Sequence, residues 1–326
     1  MSRTTSFSAA AVLVGLVIFF ALFEIGLRIA FYRSMDFDIE MWKYATVLKK
    51  VADDPAQGHE HAPGKRAFLM GVDVEINSRK LRDYDYDFAK PAGVKRVLMV
   101  GDSLTFGWGV PVEETAAKRL ESRLNAAGGK WQVINAGVGN YNTSQEVAYF
   151  FNEGYRYKPD VVVLNYFVND AEPTPVRKTH PLLGWSYAYV YLKGRFDLLG
   201  RQAFGMESWA DYYLGLYEGA QPGWLATVAS IDKLADYCRE NGIPLVIANY
   251  PELHDLENYR FANVGDRLRQ IAGRGGAFYV DLLDAVRGEP AHTLWVTPSD
   301  PHPNGRANRL FADHLLPVVE KAAAGR

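Results

Sequence analysis

The sequence predicts an α/β protein: βαβ units around a mostly parallel sheet, preceded by a membrane-spanning helix. Three observations predict it. From Arg96 onward, short apolar runs alternate with helical stretches. One of those runs, Val161-Val162-Val163-Leu164, is continuously apolar, as a parallel strand covered on both faces must be. Near the start, the chain is apolar from Ala9 to Phe31 with few interruptions. The composition agrees: 326 residues, 48% hydrophobic and 23% charged, suffice for a full core and exclude wholesale disorder. A formal net charge of -2 without a Lys/Arg-rich block leaves no electrostatic footprint for nucleic acid. Cys238 is the only cysteine, which rules out an internal disulfide and a Cys-based zinc site.

Taken in order, residues 1–8 form a tail and residues 9–31 the anchor. At about 1.5 Å per residue a helix of that length crosses a hydrocarbon core of roughly 30 Å. Glu24 and Arg28, four apart on one face, are placed to pair near the headgroup level. A cleaved signal peptide would show a shorter apolar core and a small-residue cleavage site. Residues 32–95 read as a tether: Asp53 to Lys65 is a Pro-, Gly- and His-containing loop, and Phe68 to Asn77 alternates like an extra hairpin lying against the main sheet. His59 and His61 within it are expected to be solvated rather than to bind metal.

The main domain covers residues 96–326. Strands are predicted at Arg96–Val100, Trp131–Asn135, Asp160–Tyr166, Pro244–Asn249 and Ala277–Leu282; helices at Glu114–Ala127, Ser144–Tyr157, Leu225–Asn241, Asn263–Ala272 and Asn304–Ala323. The insertion at residues 171–223 is crowded with aromatic residues, among them Trp209, Tyr212, Tyr213 and Tyr217. Three readings suit it: a cap over the crevice, a satellite core, or a segment packed near the membrane interface.

Chemistry-bearing residues gather where strands end. Arg96–Val100 delivers Ser103 within Gly101-Asp102-Ser103-Leu104, at the carboxyl end of a strand where open α/β sheets bind ligands. That tetrapeptide alone also suits an ordinary turn with Asp or Ser capping a helix. The second strand runs into Ala136-Gly137-Val138-Gly139-Asn140, a turn able to aim backbone N–H groups, and the third ends in Phe167-Val168-Asn169-Asp170, which offers an amide donor. Asp300-Pro301-His302 immediately precedes the closing helix. A hydroxyl, an imidazole, a carboxylate and amide donors on one rim are what acyl transfer requires. His302 is the expected base for Ser103; His254, which follows the fourth strand, is the second choice.

On these motifs the chain resembles the SGNH (GDSL) hydrolase superfamily from Arg96 to the C terminus. The resemblance implies a flavodoxin-like three-layer α/β/α sandwich and a serine mechanism without metal or organic cofactor. It implies Ser103 as nucleophile, His302 as base and Asp300 as its orienting carboxylate. The oxyanion hole would come from the Ser103 N–H, the N–H of Gly139 or Asn140, and the Asn169 side chain. Asp102, Trp108, Phe167, Asp170 and His254 are the further residues expected around the substrate. Three departures stand out: Phe167 replaces the glycine that usually opens the third block, the oxyanion glycine falls at Gly139 or Asn140 depending on loop spacing, and Asp300 precedes His302 by two residues rather than three, where Ser299 stands.

The function expected is a membrane-anchored serine hydrolase acting on ester bonds, with an acylated small molecule or glycan as substrate, such as a carbohydrate or envelope-glycan O-acyl ester. An O-acyltransferase sharing the acyl-serine intermediate is the alternative, as is a non-catalytic envelope binding protein that keeps the fold. The lipid bilayer is the expected partner of residues 9–31. A Lys/Arg count favours a cytoplasmic domain, whereas the resemblance to single-anchor bacterial envelope enzymes implies an extracytoplasmic one.

Overall fold

The computed structural model describes residues 3–33, 35–126, 128–175, 184–204 and 208–325. Outside that set lie Met1 and Ser2 of the tail, Ser34, Ala127 at a predicted helix end, residues 176–183 and 205–207 of the insertion, and Arg326. Helix α1 (Arg3–Ala30) contains a 21-residue apolar stretch, Ala10–Ala30, with a mean hydropathy of 2.6 and almost no burial within the protein. It is long and apolar enough to cross a membrane.

The segment read as a tether is structured. Helix α2 (Phe37–Lys43) starts at Asp36, whose side chain accepts the Ile39 N–H. Strands β1 (Lys49–Val51) and β2 (His59–His61) pair antiparallel, setting Lys49 opposite His61. The predicted hairpin forms as β3 (Arg66–Leu69) and β4 (Val72–Glu75), but as a sheet of its own. Its Leu69 and Val74 join Tyr44, Leu48, Phe106 and Trp108 in a small core, so it packs on the loop after the nucleophile strand rather than on the main sheet.

The main domain then alternates as expected: β5 (Lys95–Gly101), α3 (Ser103–Phe106), α4 (Ala116–Ala126), β6 (Trp131–Gly137), α5 (Thr143–Asn152) and β7 (Val161–Tyr166). The insertion contributes α6 (Tyr187–Phe204) and α7 (Trp209–Gly215). Next come α8 (Pro222–Glu240), β8 (Leu245–Asn249), α9 (Ala262–Gly275), β9 (Phe278–Asp281) and α10 (Leu283–Val286). Helix α8 begins three residues before its predicted start, because Pro222 occupies a first-turn position where its missing N–H costs nothing. The chain closes with β10 (Trp295–Thr297), β11 (Asp300–Pro303) and α11 (Gly305–Ala324).

Five strands form one parallel sheet in the order β6-β5-β7-β8-β9, a 2-1-3-4-5 arrangement of doubly wound type. Alternate residues of β5 feed two cores. Leu98 and Val100 pack with Phe150 of α5, Leu234 of α8 and Leu268 of α9 on one face. Val97 and Met99 pack with Leu120 of α4 and Phe311 and Leu315 of α11 on the other. The result is a three-layer α/β/α sandwich. Strand order reverses between β5 and β7, which opens a crevice beyond their carboxyl ends.

Candidate active site

Strand β5 ends at Gly101, where an added Cβ would lie 2.0 Å from Thr105 Oγ1; only glycine lets the chain turn this tightly into α3. Asp102 caps that helix by accepting the Leu104 N–H at 2.9 Å, and Ser103 follows as its first residue. Ser103 Oγ lies 2.9 Å from His302 Nε2. His302 sits on β11, and its Nδ1 lies 2.6 Å from Asp300 Oδ1, which also accepts the His302 backbone N–H at 3.1 Å. Asp300 Oδ2 accepts Trp108 Nε1–H at 3.0 Å. Burial alone would raise the Asp300 pKa, but its bonds to His302, the His302 charge and the Trp108 N–H hold it below the usual carboxylate value. An ionised Asp300 keeps the proton on Nδ1, so Nε2 presents its lone pair to the serine.

Asn140 has φ 64°, a left-handed conformation that asparagine tolerates better than most residues, and it lines the crevice. Gly139 does not offer its N–H there, because that group donates to Tyr44 Oη at 2.8 Å. Tyr44 is in turn 2.7 Å from His61 Nε2, and His61 Nδ1 lies 3.0 Å from the Lys80 carbonyl. A carbonyl only accepts, so Nδ1 carries the ring proton, Nε2 accepts from Tyr44 O–H, and the Tyr44 oxygen is left to accept from Gly139. Burial pushes the His61 pKa down to about 3, which keeps the ring neutral as this chain of bonds requires. Lys49 Nζ donates to the Gly139 carbonyl at 2.6 Å and to Asn140 Oδ1 at 2.8 Å, and burial lowers its pKa to about 7. His59 and His61 are therefore not solvated: His61 is fully buried, and His59 Nε2 reaches the Gly139 carbonyl at 3.1 Å.

The remaining candidate donor is Asn169, which lines the crevice and whose side chain lies close enough to the Asp102 carboxylate to oppose the rise that burial imposes on its pKa. The crevice is a cavity of about 410 Å³. Besides Ser103, His302, Asn140 and Asn169, its walls include Phe167 and His254, two of the residues expected there. Three others stand back from it. Trp108 is buried with its N–H on Asp300, so it supports the carboxylate rather than a ligand. Asp102 and Asp170 are also buried; Asp170 accepts the Phe167 N–H at 2.9 Å. Burial raises the pKa values of Asp102 and Asp170; the Asp102 charge adds to the rise at Asp170, and burial with both charges raises that of Glu146 beside them. The Ser103 hydroxyl is bonded to His302 and not to His254, whose Nδ1 is bonded to Glu252.

Sequence reasoning missed Phe37 and Met41 of α2, which line the cavity, and the Tyr44, Lys49 and His61 support behind Asn140. Phe37 lies 6.2 Å from the His302 ring at a 29° interplanar angle. No motif flags these residues. Trp209 and Tyr213, also in the wall, were legible only as members of the aromatic insertion. Among the described residues no group of His, Cys, Asp and Glu is arranged to hold a metal ion. What the geometry can do is remove a proton from Ser103, hold an anion near Asn140 and Asn169, and return the proton to a departing group.

The family model described as the GDSL-like Lipase/Acylhydrolase family matches residues 99–310. No curated protein matches the chain. Among solved structures, the chain is similar to TesA at 15% identity, covering 70% of this chain and 99% of that one with a TM-score of 0.47. It is also similar to the lipase/acylhydrolase from Enterococcus faecalis at 15% identity, covering 70% and 96% with a TM-score of 0.44. The acetyl xylan esterase AlAXEase is a third, at 17% identity, 69% and 99% coverage and a TM-score of 0.44.

Proposed function

This chain belongs to the GDSL-like lipase/acylhydrolase family, and from that membership we propose that it cleaves a short-chain acyl ester through an acyl-serine intermediate. The observation that carries the reading is the continuous link from Ser103 Oγ through His302 to Asp300, at 2.9 and 2.6 Å, on the floor of the cavity. His302 Nε2 takes the Ser103 proton as Oγ bonds to the ester carbonyl carbon. The carbonyl oxygen becomes an oxyanion held by the Ser103 and Asn140 N–H groups and the Asn169 amide; each such donor is typically worth about 10²–10³ in rate. The C–O bond to the alcohol breaks, and the alkoxide leaves with the proton from His302. Water then gives a proton to His302 as its oxygen attacks the acyl-serine carbonyl carbon; the bond to Oγ breaks, His302 returns the proton to Oγ, and the acid leaves.

An O-acylated carbohydrate suits the cavity. Its walls combine the Phe37, Trp209 and Tyr213 rings with several hydrogen-bonding groups, and about 410 Å³ is small for a long acyl chain together with its alcohol. Helix α1 would hold this domain at a bilayer. The reading is tested with a fluorophosphonate probe followed by intact mass, and with 4-nitrophenyl acetate turnover. The wild type is expected to gain one adduct and Ser103→Ala none, with turnover lower by about 10³-fold or more. A Ser103→Ala protein as active as the wild type would overturn it.

A further inference from the structure

The cavity contains a second carboxylate-oriented imidazole that the serine reaction does not use. It comes from the loop after β8: the Glu252 carboxylate is buried, and its Oε1 accepts both the backbone N–H of His254, at 2.9 Å, and Nδ1 of its ring. The His254 ring is flanked by Trp209, 5.6 Å away at 56°, and Trp295, 5.7 Å away at 61°. Trp295 is itself held, its Nε1–H donating to the Leu253 carbonyl at 2.8 Å. The ring is thus fixed before any ligand arrives, and with Nδ1 committed the nitrogen left for a ligand is Nε2. Fixing a polar group in advance is how a protein reduces the ordering cost of recognition.

Its location identifies which half of the ester it meets. Trp295 lies on β10, whose partner β11 carries Asp300 and His302, so His254 adjoins the hairpin that supplies the base. The alcohol must leave on that side, because it accepts its proton from His302; the oxyanion donors Asn140 and Asn169 come from other strand ends. We propose that His254, oriented by Glu252 and set beside Trp209, is the subsite for the alcohol half of the ester, and that this alcohol is a sugar hydroxyl. The inference rests on the acyl-serine reading of Ser103.

The chemistry of the pair selects the ligand. Bonded to Glu252, a charged His254 forms a pair of zero net charge, so the subsite does not attract an anion by long-range charge. Nε2 donates when the ring is protonated and accepts when it is neutral; a hydroxyl, which does both, is satisfied in either state. The hydrogen bond and charge of Glu252 raise the His254 pKa despite its partial burial. Trp209, about two-fifths exposed, offers a ring face to the apolar C–H side of a pyranose, which a flexible aliphatic alcohol does not match.

The test compares a mono-O-acetylated methyl glycoside, whose other hydroxyls are free, with 4-nitrophenyl acetate, which share the acyl group and differ in the alcohol. For His254→Ala and Trp209→Ala, the ratio of kcat/KM on the glycoside ester to that on the nitrophenyl ester is expected to fall about tenfold, chiefly through KM. His254→Gln, which still donates and accepts, should recover part of that loss. Fluorophosphonate labelling of each variant reports that the Ser103 site is folded. An unchanged ratio in both alanine variants overturns the proposal. So does a wild type that takes up the probe and cleaves the nitrophenyl ester but not the glycoside ester; that outcome leaves the Ser103 reading standing. Failure of the Ser103 reading shows separately, as absence of labelling in the wild type, and overturns both.

Discussion

Asp300 reaches His302 from only two residues away, and both of its oxygens are committed: Oδ1 to His302 and Oδ2 to Trp108. Asp300→Asn cannot satisfy both. An amide nitrogen facing Trp108 sets donor against donor; one facing His302 drives the ring proton to Nε2, where it blocks removal of the Ser103 proton. The expected outcome is a fall in kcat of about 10³–10⁴ on 4-nitrophenyl acetate, with probe labelling slowed in parallel. A loss under tenfold would mean that His302 works without its carboxylate. The choice between Gly139 and Asn140 follows the same logic. Spacing leaves both open, whereas Tyr44 already holds the Gly139 N–H and stands 2.6 Å from where a Gly139 Cβ would lie. Asn140, with φ 64°, lines the cavity, and its N–H is therefore the one assigned to the proposed oxyanion hole.

At the scale of elements, the β1–β2 pair and Tyr44, which follows α2, form a brace behind the loop that carries Asn140. The brace contains a titratable link, His61, whose pKa burial lowers from 6.5 to about 3. Between those values the unfolded chain binds a proton that the native ring excludes. The stability His61 contributes is therefore complete above about pH 6.5 and is lost as the pH falls toward 3, with a slope of at most about 1.4 kcal/mol per pH unit. Urea titrations at pH 7.5 and 5 are expected to show a smaller drop in unfolding free energy for His61→Gln than for the wild type; equal drops would contradict the assignment. The brace was not legible in the sequence, for a physical reason. Tyr44, Lys49 and His59 meet Gly139 across separations of 95, 90 and 80 residues, and a Pro- and Gly-containing stretch between them looks like a tether until the fold brings its ends together. The sheet was legible because its signal is local: Val161 to Leu164 are apolar in a row and all buried. Ser103, Asn169 and His302 were legible because each sits at the end of an element that periodicity alone places. Trp108 was misplaced because an indole near the nucleophile reads equally as a wall or as a buried donor, and only its bond to Asp300 decides.

Across the whole molecule, the apolar helix and the crevice are joined by a short stretch of chain. Phe37, in the cavity wall, comes seven residues after Ala30, the last residue of α1, and seven extended residues span at most about 25 Å. If α1 crosses a bilayer, the crevice lies within that distance of its end. The insertion is tied to the same place. Glu24 of α1 accepts hydrogen bonds from Ser186 Oγ at 3.0 Å and from the Tyr187 and Ala188 N–H groups at 3.0 and 2.9 Å, so it caps the start of α6. It also pairs with Arg28 at 2.7 Å, and a carboxylate near the end of an apolar span is tolerable when it has such partners. The five-stranded sheet, Ser103, Asp300 and His302 nevertheless all lie after residue 94, and the brace lies after residue 36. The apolar helix and the chemistry are therefore expected to be separable. The full chain is expected to stay with the membrane pellet through alkaline carbonate extraction, and a chain lacking residues 1–30 to appear in the supernatant while Ser103 still takes up the fluorophosphonate probe. Release of the full chain by carbonate would mean that α1 is not an anchor. Loss of labelling in the shortened chain would mean that α1, through α6 and α2, is needed to hold the crevice itself.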